Sequence, residues 1–222
     1  MNALTNLQTV TAKIEQAAAA CGRKKEDVTL VAVSKMHEAE EILPLLQSGH
    51  RVFGENRVQE AQSKYPALKE QFPDLKLHLI GSLQTNKVKE AVSLFDVIET
   101  VDRIELAEKL ATEMKKQGKN LPCFIQVNTG DEPQKGGCVS RETIALVEKC
   151  RDLGLNVVGL MCIPPVDDEP SPHFAFLKKL AKEAGLSELS MGMSDDYDIA
   201  VQQGATYVRV GTALFGERDY LK

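Results

Sequence analysis

The last stretch of this chain to carry chemistry is Tyr207-Val-Arg-Val-Gly-Thr-Ala-Leu-Phe-Gly216, an apolar run with one arginine, Arg209, that breaks at Gly211-Thr212. Glycine lets backbone amides approach a ligand closely, and the free N–H groups that open a helix favour an anion. A second small-residue turn, Leu189-Ser-Met-Gly-Met-Ser-Asp195, lies just upstream. Two such turns on successive strand–helix units suggest a phosphate cradle. Ser194 would offer a hydroxyl and its N–H, and Gly211 and Thr212 would offer backbone donors and the Thr212 hydroxyl. The plainer alternative is that Gly211 only ends a strand.

A lysine closes an earlier apolar run, Val31-Ala-Val-Ser-Lys35. The period of two puts Lys35 on the face of Val31 and Val33. An amine leaving an apolar strand is desolvated, which lowers its pKa and frees the neutral nucleophile that Schiff-base chemistry needs. The alternative is a side chain that snorkels from the strand end. An amine beside a phosphate cradle suits pyridoxal phosphate or a phosphosugar aldehyde. Arg209 separates the two. It either points outward to a helix carboxylate or inward, where it would donate to a pyridine nitrogen. Because guanidinium stays protonated, that nitrogen would remain an unprotonated acceptor, and the cofactor would be held but weakly activated.

These residues need elements to position them, and the sequence supplies a regular alternation. After a leading amphipathic helix from Leu4 to about Cys21, eight apolar runs are each followed by a helix-like segment. Among these segments are Asn56 to Glu70, Thr85 to Ser93, Arg141 to Asp152 and His173 to Ala184, and the stretch from Val127 to Arg141 reads as a loop with Gly and Pro. The runs begin at Val28, Arg51, Leu77, Phe95, Pro122, Asn156, Leu186 and Tyr207. Strict alternation with short connections demands a parallel sheet with helices outside it, and eight units predict a closed (β/α)8 TIM barrel, α/β in class. The rival open sheet carries a Gly-rich turn after its first strand. Here that turn is Ser34-Lys35-Met36-His37, without glycine. In a barrel, the turns after strands seven and eight are where a phosphate site often forms.

Composition narrows the function classes. With 222 residues, 43% hydrophobic and 27% charged, the chain suits one domain spanning residues 1–222. A net charge of −5 argues against a nucleic-acid or anionic-membrane surface. No apolar stretch approaches the roughly 18–20 residues that span a bilayer, and no signal peptide is evident. Five cysteines, Cys21, Cys123, Cys138, Cys150 and Cys162, form no C-x-x-C pair. They fit reduced thiols and a cytoplasmic location rather than a disulfide frame or a metal site.

Several separated motifs then carry a family likeness: Val31-Ala-Val-Ser-Lys35, Phe53-Gly-Glu-Asn-Arg-Val-Gln-Glu60, His78-Leu-Ile-Gly-Ser-Leu-Gln-Thr-Asn-Lys87, Gln126-Val-Asn128, Gly159-Leu-Met161, Leu189-Ser-Met-Gly-Met-Ser194 and Val208-Arg-Val-Gly-Thr212 with Phe215-Gly216. From about Val28 to Arg218 the chain resembles the pyridoxal phosphate homeostasis proteins, single-domain relatives of the N-terminal barrel of alanine racemases. The resemblance implies an internal aldimine between Lys35 and pyridoxal 5′-phosphate. It also implies phosphate contacts from Ser194, Gly211 and Thr212, Arg209 near the pyridine nitrogen, and Asn56 and Met193 lining the site. The family often follows its lysine with Thr and then Pro, whereas Met36-His37-Glu38 stands here.

Other polar residues are expected to be structural. His37 reads as a solvated loop histidine, His78 as a satisfied core histidine, and Glu55, Gln59 and Glu60 as surface or cap residues. Gln126 and Asn128 receive no role. The resemblance implies a non-catalytic carrier that holds pyridoxal phosphate and buffers vitamin B6 and amino-acid pools. Apoenzymes using the same cofactor are candidate recipients, and a monomer is expected. The alternatives are a racemase-like enzyme acting on a small amino acid and a cofactor-free aldolase. No motif places any of the four tyrosines, Tyr65, Tyr197, Tyr207 and Tyr220, as the base a racemase needs.

Overall fold

The computed structural model describes residues 2–216; Arg218 and Tyr220 lie outside them. Helix α1 (Ala3–Ala20) opens on Asn2, whose side chain accepts the Thr5 N–H at 2.9 Å and so satisfies an end-of-helix donor. Val10, Ile14, Ala17 and Ala18 recur at helical spacing along its buried face, which rests on the outside of the barrel.

The strands are β1 (Thr29–Val33), β2 (Val52–Glu55), β3 (Lys76–Leu79), β4 (Val97–Val101), β5 (Pro122–Asn128), β6 (Cys138–Val139), β7 (Asn156–Cys162), β8 (Glu188–Ser190) and β9 (Tyr207–Val210). They interleave with α2 (Ala39–Gln47), α3 (Val58–Gln71), α4 (Val88–Leu94), α5 (Ile104–Gln117), α6 (Thr143–Asp152), α7 (Pro170–Glu183), α8 (Tyr197–Gln203) and α9 (Thr212–Phe215). The hydrogen-bonded order β4-β3-β2-β1-β9-β8-β7-β5 closes through β4–β5, with every pair parallel. This is the expected (β/α)8 barrel with its extra leading helix.

The differences from the sequence reading are local. Strand β6 falls in a stretch read as loop, and it adds to the side of β5 through Val127–Cys138 and Asn128–Val139. A two-residue strand is too short to leave an alternating pattern. Helix α3 starts at Val58 rather than Asn56, because Arg57 is still extended (φ −129°, ψ 131°). Helices α4 and α6 are each preceded by a 3₁₀ turn, Thr85–Lys87 and Ser140–Glu142, so their α-helical parts begin later than expected. Helix α7 starts at Pro170 rather than His173, as proline in a first helical turn allows.

Alternate strand residues divide into two layers. Ala32, Phe53, Leu77, Leu79, Ile125, Leu160, Leu189, Val208 and Val210 join the apolar core between barrel and helices. The intervening residues fill the barrel itself. There Val31 and Ile80 close over Gly54, and Tyr207 packs against His78 and Phe124 with ring centroids 5.6 and 5.5 Å apart. The middle of this interior is polar. His78, Glu99, Gln126, Ser190 and Arg209 are all buried.

Close strand packing depends on one glycine in particular. A Cβ on Gly159 would lie 2.2 Å from the Glu188 carbonyl oxygen across the β7–β8 pair. Gly159→Ala is therefore expected to cost about 1–3 kcal/mol, read as a lower urea midpoint with an unchanged slope.

Candidate functional site

At the C-terminal mouth of the barrel lies a cavity of about 210 Å³ lined by Val33, Lys35, Asn56, Ile80, Ile163, Met193, Ser194, Asp195, Arg209, Gly211 and Thr212. Lys35, Asn56, Met193, Ser194, Arg209, Gly211 and Thr212, the residues singled out in the sequence, all stand on its wall. They come from turns after β1, β2 and β8 and from β9 and the turn that follows it. The volume is below the roughly 300–1,000 Å³ of ligand clefts in general, so it favours a small occupant.

Each wall has a local cause. Strand β1 ends at Val33, two residues before Lys35. The His37 N–H donates to the Ser34 carbonyl at 3.1 Å, closing a tight turn around Lys35 and Met36. Met36 has φ 64°, a left-handed conformation that usually selects glycine or asparagine at the third turn position. Just beyond the neighbouring strand, Asn56 passes so near Gly81 that a Cβ there would lie 2.2 Å from the Asn56 carbonyl oxygen. At the far side, the Ala213 N–H donates to Ser194 Oγ at 3.2 Å, which joins the two small-residue turns across the mouth.

Arg209 points inward and is only 4% exposed. It donates to Ser190 Oγ at 2.7 Å and to the Cys162 carbonyl at 2.8 Å. Ser190 in turn donates to Glu99 Oε2 at 2.5 Å, while Glu99 Oε1 lies 2.6 Å from His78 Nδ1. Burial pushes the Glu99 carboxyl up, but the His78 bond and the charges of His78 and Arg209 outweigh it and hold the group below its ordinary value. A polar chain thus runs through the barrel centre from the arginine on the cavity wall to His78.

A second polar cluster supports the Lys35 turn from the helix side. Glu55, Lys64 and Tyr65 are buried, and Lys64 Nζ reaches Glu55 Oε1 at 2.7 Å and Glu60 Oε1 at 2.9 Å. Ser34 Oγ lies 2.7 Å from Glu55 Oε1 and 2.6 Å from Tyr65 Oη. Burial drives the Tyr65 phenol well above its ordinary pKa, so it stays protonated and donates to Ser34. Burial also raises the Glu55 carboxyl against the pull of Lys64 and Ser34. Glu60 is partly buried, yet Lys64 and the Met36 N–H hold its carboxyl below the usual value.

These contacts correct two expectations. Glu55 and Glu60 are not surface or cap residues, because Lys64 draws them into the cluster. His37 is not a solvated loop histidine: its ring stacks on Phe215 at 4.5 Å and its side chain is only 11% exposed. His78 is the satisfied core histidine expected. Lys64 left one legible sign. It falls three residues after Ala61 and beside Tyr65 on a stripe that Leu68 continues, a charged residue on an otherwise apolar helix face. Glu99 and Ser190 left none, since strand periodicity does not show which partner meets them across the barrel.

Residues 5–219 match the alanine racemase N-terminal domain family. The chain belongs to that family. It is 41% identical over 226 residues to the pyridoxal phosphate homeostasis protein of Vibrio cholerae, covering 97% of this chain and 96% of that relative, and so falls among the pyridoxal phosphate homeostasis proteins. The structure of PipY from Synechococcus elongatus with PLP bound is similar at a TM-score of 0.80 and 39% identity, over 92% of this chain and 100% of that one. Alanine racemase of Clostridium difficile shares the barrel at a TM-score of 0.73, over 99% of this chain and 57% of that one. At 17% identity this last likeness shows the fold alone.

Removing the buried carboxylate tests the central polar chain. Glu99 titrates lower in the folded protein than its ordinary 4.5, so its contribution is complete above pH 4.5 and drains away as pH falls through the folded value. Glu99→Gln is expected to lose about 1–3 kcal/mol at neutral pH, because Ser190 Oγ and His78 Nδ1 lose their charged acceptor. It should also show a shallower loss of stability below pH 4.5 than the parent, measured by urea unfolding across pH.

Proposed function

We propose that this protein binds pyridoxal 5′-phosphate in the cavity at the barrel mouth and holds it for buffering or delivery, without turnover, as part of vitamin B6 homeostasis. The observation that carries the reading is the convergence of Lys35, Arg209 and the joined Ser194 and Gly211-Thr212 turns on one small cavity. The donor set fits the cofactor. An amine suits an aldehyde, a cation and an amide suit ring substituents, and two small-residue turns suit a phosphate. Val33, Ile80, Ile163 and Met193 supply apolar surface for a ring. The PLP-bound relative and the homeostasis proteins in the family support the same assignment.

When bound, pyridoxal phosphate supplies an aldehyde that an amine can capture and a ring able to withdraw electrons. Lys35 is assigned to the aldehyde carbon, and Ser194, Gly211 and Thr212 to the phosphate. Asn56 and Met193 flank the ring. Arg209 is assigned to the ring nitrogen, where a permanently protonated guanidinium can only donate and so keeps that nitrogen an acceptor. That partner disfavours electron withdrawal.

The cavity wall also bears on turnover. Its titratable residues are Lys35, Asp195 and Arg209, and neither tyrosine nor histidine is among the described residues that line it. Proton transfer at an amino-acid substrate needs positioned acids and bases on both faces. This favours a carrier over a racemase, although the barrel is shared with racemases. Apoenzymes that use pyridoxal phosphate are the proposed recipients, and we place the protein in the cytoplasm as a monomer.

The test is spectral and chemical. Purified protein with added pyridoxal phosphate is expected to turn yellow, and borohydride is expected to fix the cofactor to the peptide containing Lys35. Lys35→Ala should lose both signals. A label on another lysine would refute the assignment. Single-enantiomer amino acids incubated with the loaded protein should keep their chirality; sustained racemisation would establish an enzyme instead.

A further inference from the structure

The turn that bears Lys35 is bracketed by a buried cation, Lys64, that stands behind the cavity wall rather than on it. Lys64 Nζ donates toward the Ser34 carbonyl and the His37 carbonyl, both at 3.0 Å, as well as toward Glu55 Oε1 and Glu60 Oε1. The two carbonyls stand on either side of Lys35 and Met36. Four oxygens therefore surround an ammonium that has only three N–H bonds to give. Glu60 Oε1 also accepts the Met36 N–H. Carbonyls and amide of one turn are thus tied to the first turns of α3 through two side chains.

Two further observations show that the turn is held rather than relaxed. Met36 occupies the left-handed region without glycine's freedom, a state that persists only where surrounding contacts over-determine it. Among the described residues, Glu55 Oε2 is buried with no hydrogen-bond partner, so this carboxylate is fixed by its contacts at Oε1. A half-satisfied buried cluster costs stability, and here it lies directly behind the turn that carries Lys35. Lys64 does not line the cavity.

We propose that Lys64, braced by Glu55 and Glu60, is a positioning residue for Lys35: it locks the Ser34–His37 turn so that the Lys35 amine is presented to an incoming aldehyde. The proposal rests on the reading of the cavity as a pyridoxal phosphate site. Capture balances simply. The Lys35 nitrogen bonds to the aldehyde carbon and the aldehyde oxygen leaves as water, with no change of oxidation state. Lys64 acts on the rate of that encounter by restricting where the amine can be. The phosphate is held at the opposite turns, and its affinity is independent of Lys64.

Two variants test this. Glu55→Gln with Lys64→Met removes both charges of the buried pair together, which a protein tolerates far better than removing one. Glu60→Ala, at a partly exposed position, releases the Met36 amide and keeps the buried pair. In both, the rate of yellow-colour formation with pyridoxal phosphate should fall on the order of tenfold to a hundredfold, as expected for a misplaced reacting group. Affinity for pyridoxine 5′-phosphate, which carries an alcohol in place of the aldehyde, should match the parent. Hydrogen exchange at the Met36 amide of the cofactor-free protein should quicken in both.

An unchanged capture rate in either folded variant overturns the proposal. So does an affinity for pyridoxine 5′-phosphate that falls in parallel with capture, since that marks a general structural role. Failure of the cofactor reading would look different. The parent protein itself would then give no borohydride-fixed label at Lys35, and unaltered Met36 exchange in Glu60→Ala would separately refute the clamp.

Discussion

Arg209 brings a permanent positive charge into the interior of a closed barrel, where an unpaired ion is expensive to desolvate. The strands around it answer that charge in sequence. Cys162 of β7 offers a carbonyl, Ser190 of β8 a hydroxyl, and Glu99 of β4 a carboxylate whose other oxygen meets His78 of β3. Barrel closure makes this possible, because β4 and β8 approach each other only across the interior. The guanidinium is fixed before any ligand arrives, and the cavity wall that it forms is pre-organised. A preset donor does not have to be ordered when a ligand binds.

The opposite wall is built by a different strategy. Lys35 sits on a turn rather than within a strand, and turns are the more mobile parts of a barrel. Its stiffness comes from the helix layer, where Lys64, Glu60, Glu55, Tyr65 and Ser34 form one connected cluster. The cavity is therefore supported on one side by the polar core of the barrel and on the other by a polar patch in the helix–strand interface. Between them, Gly81 lets Asn56 reach the mouth and the Ser194 hydroxyl ties the two last turns together.

This division suits the proposed role of a carrier. Holding an aldehyde and a phosphate needs an amine and a set of backbone and hydroxyl donors, all of which can be set by the barrel's own loops. Turnover needs acids and bases placed on both faces of the ring. A barrel shared with alanine racemases can thus serve binding alone, since function resides in the side chains at the mouth rather than in the fold.

Much of this was legible in the sequence. The alternation of apolar runs with helical segments fixes a parallel barrel, because eight such units with short connections have few other ways to cover both faces of a sheet. The run ending at Lys35 and the small-residue turns at Ser194 and Gly211 marked the mouth, since barrels put strand ends there. What remained hidden was whatever depends on packing across the structure. Period two left Arg209 free to face either way. Glu55 and Glu60 looked like helix-start carboxylates until α3 brought Lys64 against them, and His37 looked solvated until Phe215 covered its ring. Local patterns set which residues share a face; only closure of the barrel and docking of its helices decide which buried charge meets which partner, because those pairs lie far apart along the chain.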